Sequence, residues 1–158
     1  MAITVRRATI EDALVIADYA LKLSRQHQDY DANRFMPLSD YEGAVNFYGS
    51  QTKANNSTVF VAESNEKIVG FAFLEFEKIN YADLLKSAVR LHDLYVEESS
   101  RGSAAGKLLI DAVQNAAREF GASKLMLNVA AKNEHAKKFF ERTGFETTMF
   151  EMKLDLTE

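Results

Sequence analysis

Two groups of residues in this chain have types and spacing that suit them to chemistry. The first is the adjacent pair His92-Asp93. An imidazole is the side chain whose ordinary titration falls near neutral pH, and a carboxylate can hold a cation or accept a proton. The second is the run Arg101-Gly102-Ser103-Ala104-Ala105-Gly106-Lys107. It has almost no side-chain bulk, a cation at each end and a helical pattern directly after it. A bare backbone leading into a helix N-terminus aims several N–H groups at one point and makes a phosphate site. The run is not a P-loop, because Leu108 rather than serine or threonine follows Lys107.

The surrounding pattern shows what holds these groups. Residues 89–96 read as a strand. Residues 107–120 read as a helix with Leu108, Leu109, Ala112, Val113, Ala116 and Phe120 on one stripe, ended by Gly121. Residues 124–129 alternate as a further strand, so strand, helix and strand form a β-α-β unit with parallel strands. Upstream lie an edge strand at 3–6, a helix from Thr9 to about Ser24, a loop over 27–38 and a second helix carrying Ala44, Val45, Phe47 and Tyr48. Residues 58–63 and 67–79 form a hairpin. In its second strand Val69, Phe71 and Phe73 are expected on one face, and Ile68, Ala72 and Leu74 on the other. A strand apolar on both faces is central and covered by helices on both sides. A short helix spans 133–142, and Phe145 to Leu156 is expected to form one or two terminal strands.

The 158 residues are 47% hydrophobic and 27% charged, a soluble globular composition sized for one domain spanning 1–158. A net charge of −4 argues against nucleic acid as the principal partner, since phosphate-backbone binders carry a basic excess. The absence of cysteine excludes disulfides, thiolate metal sites and a cysteine nucleophile, and no metal site is expected. With neither a signal-peptide pattern nor an apolar run long enough to span a bilayer, the expected location is cytoplasmic, off the membrane.

Leu94-Tyr95-Val96 followed by Arg101-Gly102-x-x-x-Gly106-Lys107-Leu108-Leu109 resembles the acyl-CoA loop of the GNAT superfamily of N-acetyltransferases. Asn133-Glu134-His135-Ala136-x-x-Phe139-Phe140-Glu141-x-x-Gly144-Phe145 resembles that family's second signature. The two stand in order, with a helix and strand between. The resemblance implies an α/β chain of the GNAT-type acyl-CoA N-acyltransferase fold: a central, mostly antiparallel sheet with one splayed parallel pair and helices on both faces. It implies acetyl-CoA as co-substrate, with the pyrophosphate on the N–H groups of Gly102, Ser103, Ala104, Ala105, Gly106 and Lys107, and Arg101 beside them. It also places the pantetheine arm along Leu94, Tyr95 and Val96, lined on its other side by Asn133, Ala136, Phe139 and Phe140. Two positions depart from the family. Ala104 stands where the loop's central glycine is usual. Phe140 stands where many members carry a tyrosine that protonates the departing thiolate.

Acetyl transfer to an amine needs a neutral nitrogen. A lysine-like amine titrates about 3 units above neutral pH, so freeing its lone pair costs roughly 4 kcal/mol without assistance. His92, on the same strand parity as Leu94 and Val96, is the first candidate base, and its alternative is a satisfied structural histidine. Asp93 is the second, either as base or as the group that orients the substrate cation. Glu75 is the third, with a solvated strand residue as its plainer reading. The backbone N–H near Leu94 is the expected oxyanion donor. Tyr95 could replace the missing phenol of Phe140, although a packed strand aromatic is the simpler role. His27, Asp29, Asp31 and Glu42 make the first interhelical region acidic, which suits a cationic amine and equally suits a solvated loop. The expected substrate is a primary amine of a small molecule or peptide, with direct attack in a ternary complex. The alternative is an acyl-CoA-binding module with little transfer activity. The alternating Phe150, Met152, Leu154 and Leu156, which family members often pair across two copies, point to a homodimer.

Overall fold

The computed structural model describes residues 2–157. Strands β1 (Ile3–Arg7), β2 (Ser57–Ser64), β3 (Lys67–Asn80), β4 (Leu85–Val96) and β5 (Lys124–Leu127) lie in sequence order in one sheet. The first four pair antiparallel, and β4 pairs parallel with β5. Helices α1 (Ala13–Tyr30) and α2 (Tyr41–Gln51) cover one face. Helix α3 (Ala105–Glu119) covers the other, and α4 (Glu134–Arg142) follows β5.

The two faces hold separate cores. On the α3 side Leu109, Ile110, Val113 and Ala117 pack against Ala62, Ala72, Leu74, Val89 and Leu91. Compared with the predicted stripe, Ile110 and Ala117 join the buried face, while Leu108 and Ala112 sit at its margin. On the other side Ile16, Ala17, Ala20, Ala44 and Tyr48 pack against Val59, Val61, Phe71, Phe73 and Tyr95. β3 is therefore central and apolar on both faces, as its composition requires. Gly70 sits where an added Cβ would come within 2.6 Å of the Tyr95 carbonyl oxygen, so β3 and β4 approach closely there only because the side chain is absent.

Two bulges change side-chain directions. Ala62 faces Gly70 and Glu63 faces Ile68, leaving Val69 unopposed. Beyond this point the alternation reverses: Val69 joins the α3-side core with Ala72 and Leu74, whereas Ile68 packs on the opposite core with Phe71 and Phe73. In the next ladder Phe73 faces Asp93 and Leu74 faces Leu91, so His92 is the extra residue. A bulge leaves one residue unpaired and re-aims its neighbours.

The chain's end also differs from expectation. Residues 145–157 form no strand, and Asn128 and Val129 do not extend β5. Alternating polarity makes a segment fit for one face of a sheet, but a strand exists only where a neighbouring ladder takes its backbone groups. Within the described residues of one chain, no such neighbour meets this segment. No helix is long and apolar enough to cross a membrane among the described residues.

Candidate functional site

The glycine-rich run forms the entry to α3. A single 3-10 turn, Glu98–Ser100, brings the chain off β4, and Gly102 takes a positive φ of 80° that suits glycine. Ala104 is the residue before the first helical turn, at φ −75°. An alanine is unstrained there, so the departure from the usual glycine costs the backbone nothing. The N–H groups of Gly102, Ala104, Gly106 and Lys107 have no acceptor among the described residues. These are the orphan donors every helix start leaves, gathered beside a loop without bulk.

Gly106 joins this loop to the rest of the site. A Cβ added there would lie 3.4 Å from the Phe139 ring and 4.0 Å from Val96 Cγ2. Leu94, Val96, Phe139 and Phe140 all pack at the margin of the α3-side core. The fold thus brings together the loop, the end of β4 and α4, which are distant in sequence. Asn133 caps α4, its Oδ1 accepting from the Ala136 N–H at 3.1 Å. Arg101 donates from Nε to the Val96 carbonyl at 3.0 Å and lies 5.7 Å over the Tyr95 ring. Lys107 pairs with Asp111 one turn along the helix at 2.6 Å. The parallel ladder joins Ala88–Leu91 to Lys124–Leu127 and goes no further, so β4 from His92 to Val96 is open on its β5 side.

Tyr95 does not share this face. Its ring is buried in the α1/α2 core, 5.0 Å from Tyr19, and burial raises its phenol above the ordinary range. It is a packed aromatic, and only its backbone lies along the open edge. Phe140 packs edge-on to Phe139 and Phe145 and carries no hydroxyl.

The bulge at His92 overturns the expectation that His92 points with Leu94 and Val96 while Asp93 points away. Both side chains lie on the α1/α2 side. The His92 ring stacks on Phe73 at 5.3 Å, and its Nε2 lies 3.3 Å from Glu75 Oε1. Asp93 accepts a 2.6 Å hydrogen bond from the Tyr48 hydroxyl, and Tyr48 in turn packs edge-on to Phe73. Desolvation pushes the Asp93 carboxyl above the usual aspartate range, opposed by the Tyr48 bond and by the His92 and His27 rings. Burial, with the Asp93 charge beside it, holds the Tyr48 phenol far above its normal range, so it stays a donor. Phe47 stands 5.5 Å from Phe73 and borders a shallow hollow of about 170 Å³ lined also by Leu38, Ala44 and Tyr48. Sequence reasoning placed Tyr48 on a helix stripe without a role. The available signal was a hydroxyl on an otherwise apolar helix face, and its partner was hidden by distance along the chain.

The interhelical residues have mixed fates. His27 packs edge-on to Phe35 at 4.8 Å, with Nδ1 2.9 Å from the Leu23 carbonyl. Asp31 ends α1, its carboxylate accepting from the Asn33 and Arg34 N–H groups at 3.2 Å. Asp29 and Glu42 are exposed.

A phosphate-ready helix start beside an open parallel pair, with the His92–Asp93 pair and an aromatic hollow across the sheet, defines an acyltransferase frame. The chain belongs to the acetyltransferase (GNAT) family, whose model matches residues 21–145, and it is an acyltransferase. It is 28% identical over 144 residues to the uncharacterized N-acetyltransferase YhfO of Bacillus subtilis (strain 168), covering 90% of this chain and 89% of that one. In fold it is similar to a tetramutant of the BH1408 protein of Bacillus halodurans, with a TM-score of 0.83 at 23% identity over 97% of this chain and 99% of that one. It is also similar to AAC(6')-Iy in complex with the bisubstrate analog CoA-S-monomethyl-acetylneamine. That TM-score is 0.76 at 18% identity, covering 99% of each chain.

Proposed function

We propose that this protein is an acetyl-CoA-dependent N-acetyltransferase that moves the acetyl group to a primary amine of a small molecule or peptide by direct attack in a ternary complex. The observation that carries this reading is the bulge in β4. It sets His92 and Asp93 side by side on the acceptor face, while the next residues, Leu94 to Val96, run along the open parallel edge toward the loop.

The loop suits the CoA pyrophosphate: its N–H groups have no acceptor among the described residues, Ala104 fits without strain, and a Cβ at Gly106 would touch the Phe139 ring. Bound acetyl-CoA supplies the activated thioester. The chain's own residues do the rest. Asp93, kept in place by Tyr48, holds the incoming ammonium, and the exposed Phe47 offers its ring to the same cation. His92, supported on Phe73 and paired with Glu75, takes the proton so that the nitrogen can attack. A backbone N–H near Leu94 polarises the thioester carbonyl. The acidic residues and rings on this side favour a cationic acceptor, as does Asp93 itself.

Thiol release from acetyl-CoA against a panel of amines tests this directly. Release with a cationic primary amine, reduced about 10²-fold or more in His92→Ala, is the expected result. Tight acetyl-CoA binding with no release for any amine would instead support an acyl-CoA-binding module. Phe140 favours that second reading, since it offers the departing thiolate no proton.

A further inference from the structure

Resting on the amine-acceptor reading above, we propose that the preferred acceptor is a monoamine with a compact apolar group close to its nitrogen, held by Leu38, Phe47 and Tyr48. The hollow beside the His92–Asp93 pair carries this. It encloses about 170 Å³ and is lined by Leu38, Asp40, Gly43, Ala44, Phe47 and Tyr48, a mostly apolar wall. Leu38 is 37% exposed and Phe47 46%. Large apolar side chains left partly in water around a hollow are surface that a ligand can cover. The hollow reaches the chemistry through its own lining. Tyr48 donates its hydroxyl to Asp93 at 2.6 Å. Phe47 meets Phe73 at 5.5 Å, and the His92 ring stacks on Phe73 at 5.3 Å. An ammonium at Asp93 therefore has the hollow one side chain away, within reach of a short aliphatic linker.

The carboxylates on this face say why a single charge fits best. Asp31 accepts from the Asn33 and Arg34 N–H groups. Asp40 caps α2, its Oδ1 accepting from the Gly43 N–H at 2.9 Å, so its charge already answers the positive end of that helix. Glu75 lies against His92, and Glu97 pairs with Lys22. Asp29 and Glu42 are exposed, where salt screens them. Asp93 is the carboxylate beside the hollow whose hydrogen bond comes from a neutral hydroxyl, and it keeps its charge for a ligand. A second ammonium on the acceptor would lie against the apolar wall, or against a carboxylate committed to a helix start. It would lose hydration without gaining a counter-ion of its own. A ring or branched alkyl group in the same place removes its own surface from water together with that of Leu38 and Phe47. The lining thus selects against polyamines and amino sugars.

Calorimetric titration in the presence of CoA, and thiol release from acetyl-CoA, should be compared for phenethylamine, isopentylamine, ethylamine, spermidine and neamine. A dipeptide amide beginning with phenylalanine separates a peptide N-terminus from a free amine as the source of this chemistry. The expected kcat/KM for phenethylamine or for the dipeptide is at least about tenfold above that for ethylamine, with spermidine and neamine no better than ethylamine. Phe47→Ala, which removes a wall, and Leu38→Trp, which fills the hollow, should each bring the phenethylamine value down to that of ethylamine. Both positions are part-exposed, so circular dichroism should show the fold retained. Preference for spermidine or neamine, or a phenethylamine preference that both variants keep, would overturn the proposal and leave the transferase reading standing. Phenethylamine binding preferentially without thiol release would sink the transferase reading and still support the apolar subsite. No binding and no release for any amine would overturn both.

Discussion

The sheet's two ends are built differently. Around β2, β3 and β4 each face is sealed by helices, and Phe71, Ala72, Leu74, Val61 and Val89 are inaccessible to solvent. Around β5, α4 and the tail nothing is fully buried. Stability must come from the first region, where apolar area is removed from water on both sides of the strands. The second region borders what a ligand needs: the orphan N–H groups at the start of α3, the edge of β4 left open beyond Leu91, and the half-covered rings of Phe139 and Phe140. The contrast says that the helix-start loop and the open strand edge border the end that packs least well, and that mutations there should separate function from folding.

The largest effect should come from truncating the sealed side. Phe71→Ala should cost about 3–5 kcal/mol in urea unfolding. If the contrast is real, Phe140→Ala should cost much less and should instead raise KM for acetyl-CoA. Equal losses would erase the distinction. Next is Asp93, at the boundary between the regions. Its pKa is raised in the folded state by desolvation, so its favourable contribution is present below about pH 4, the unfolded value, and is lost as pH rises through the folded value. Asp93→Asn should therefore be more stable than wild type at pH 7 while losing at least about tenfold in kcat/KM, as expected of a site strained for function. A destabilised Asp93→Asn would show that the carboxylate is structural.

Asp12 should behave in the opposite sense. Its carboxylate accepts from the Arg6 guanidinium at 2.7 Å and the Thr9 N–H at 2.7 Å, which lower its pKa. Its contribution is present above about pH 4 and lost as pH falls through the depressed folded value. Wild type should lose stability on acidification in that window, and Asp12→Asn should lose less, as read by melting temperature against pH. The smallest effect is expected at Lys107→Ala, whose exposed pair with Asp111 contributes no more than about 0.5 kcal/mol. Its KM for acetyl-CoA should nevertheless rise several-fold, a change without a stability counterpart.

Much of this was legible in local pattern. The order of helices and strands through α4, the central position of β3, the parallel β4–β5 pair and the loop at the start of α3 follow from periodicities of two and 3.6 and from small residues before a helix. The resemblance of two short signatures named the family that the match over residues 21–145 bears out. What period-two reasoning could not supply was the pair of bulges, because an inserted residue leaves no compositional mark while reversing every side chain beyond it. Hence Ile68 and Val69 exchanged faces, and His92 joined Asp93 rather than Leu94.

By itself, then, the sequence determined which segments could be helix or strand and which loop could hold a phosphate, since those depend on residues close together in the chain. Only the tertiary structure decided that Tyr48 holds Asp93, that Gly106 meets Phe139, and that the amphipathic tail joins no strand ladder among the described residues. Each of these is a matter of which distant surfaces meet, and a bulge or an unpaired edge alters that meeting without altering the local pattern.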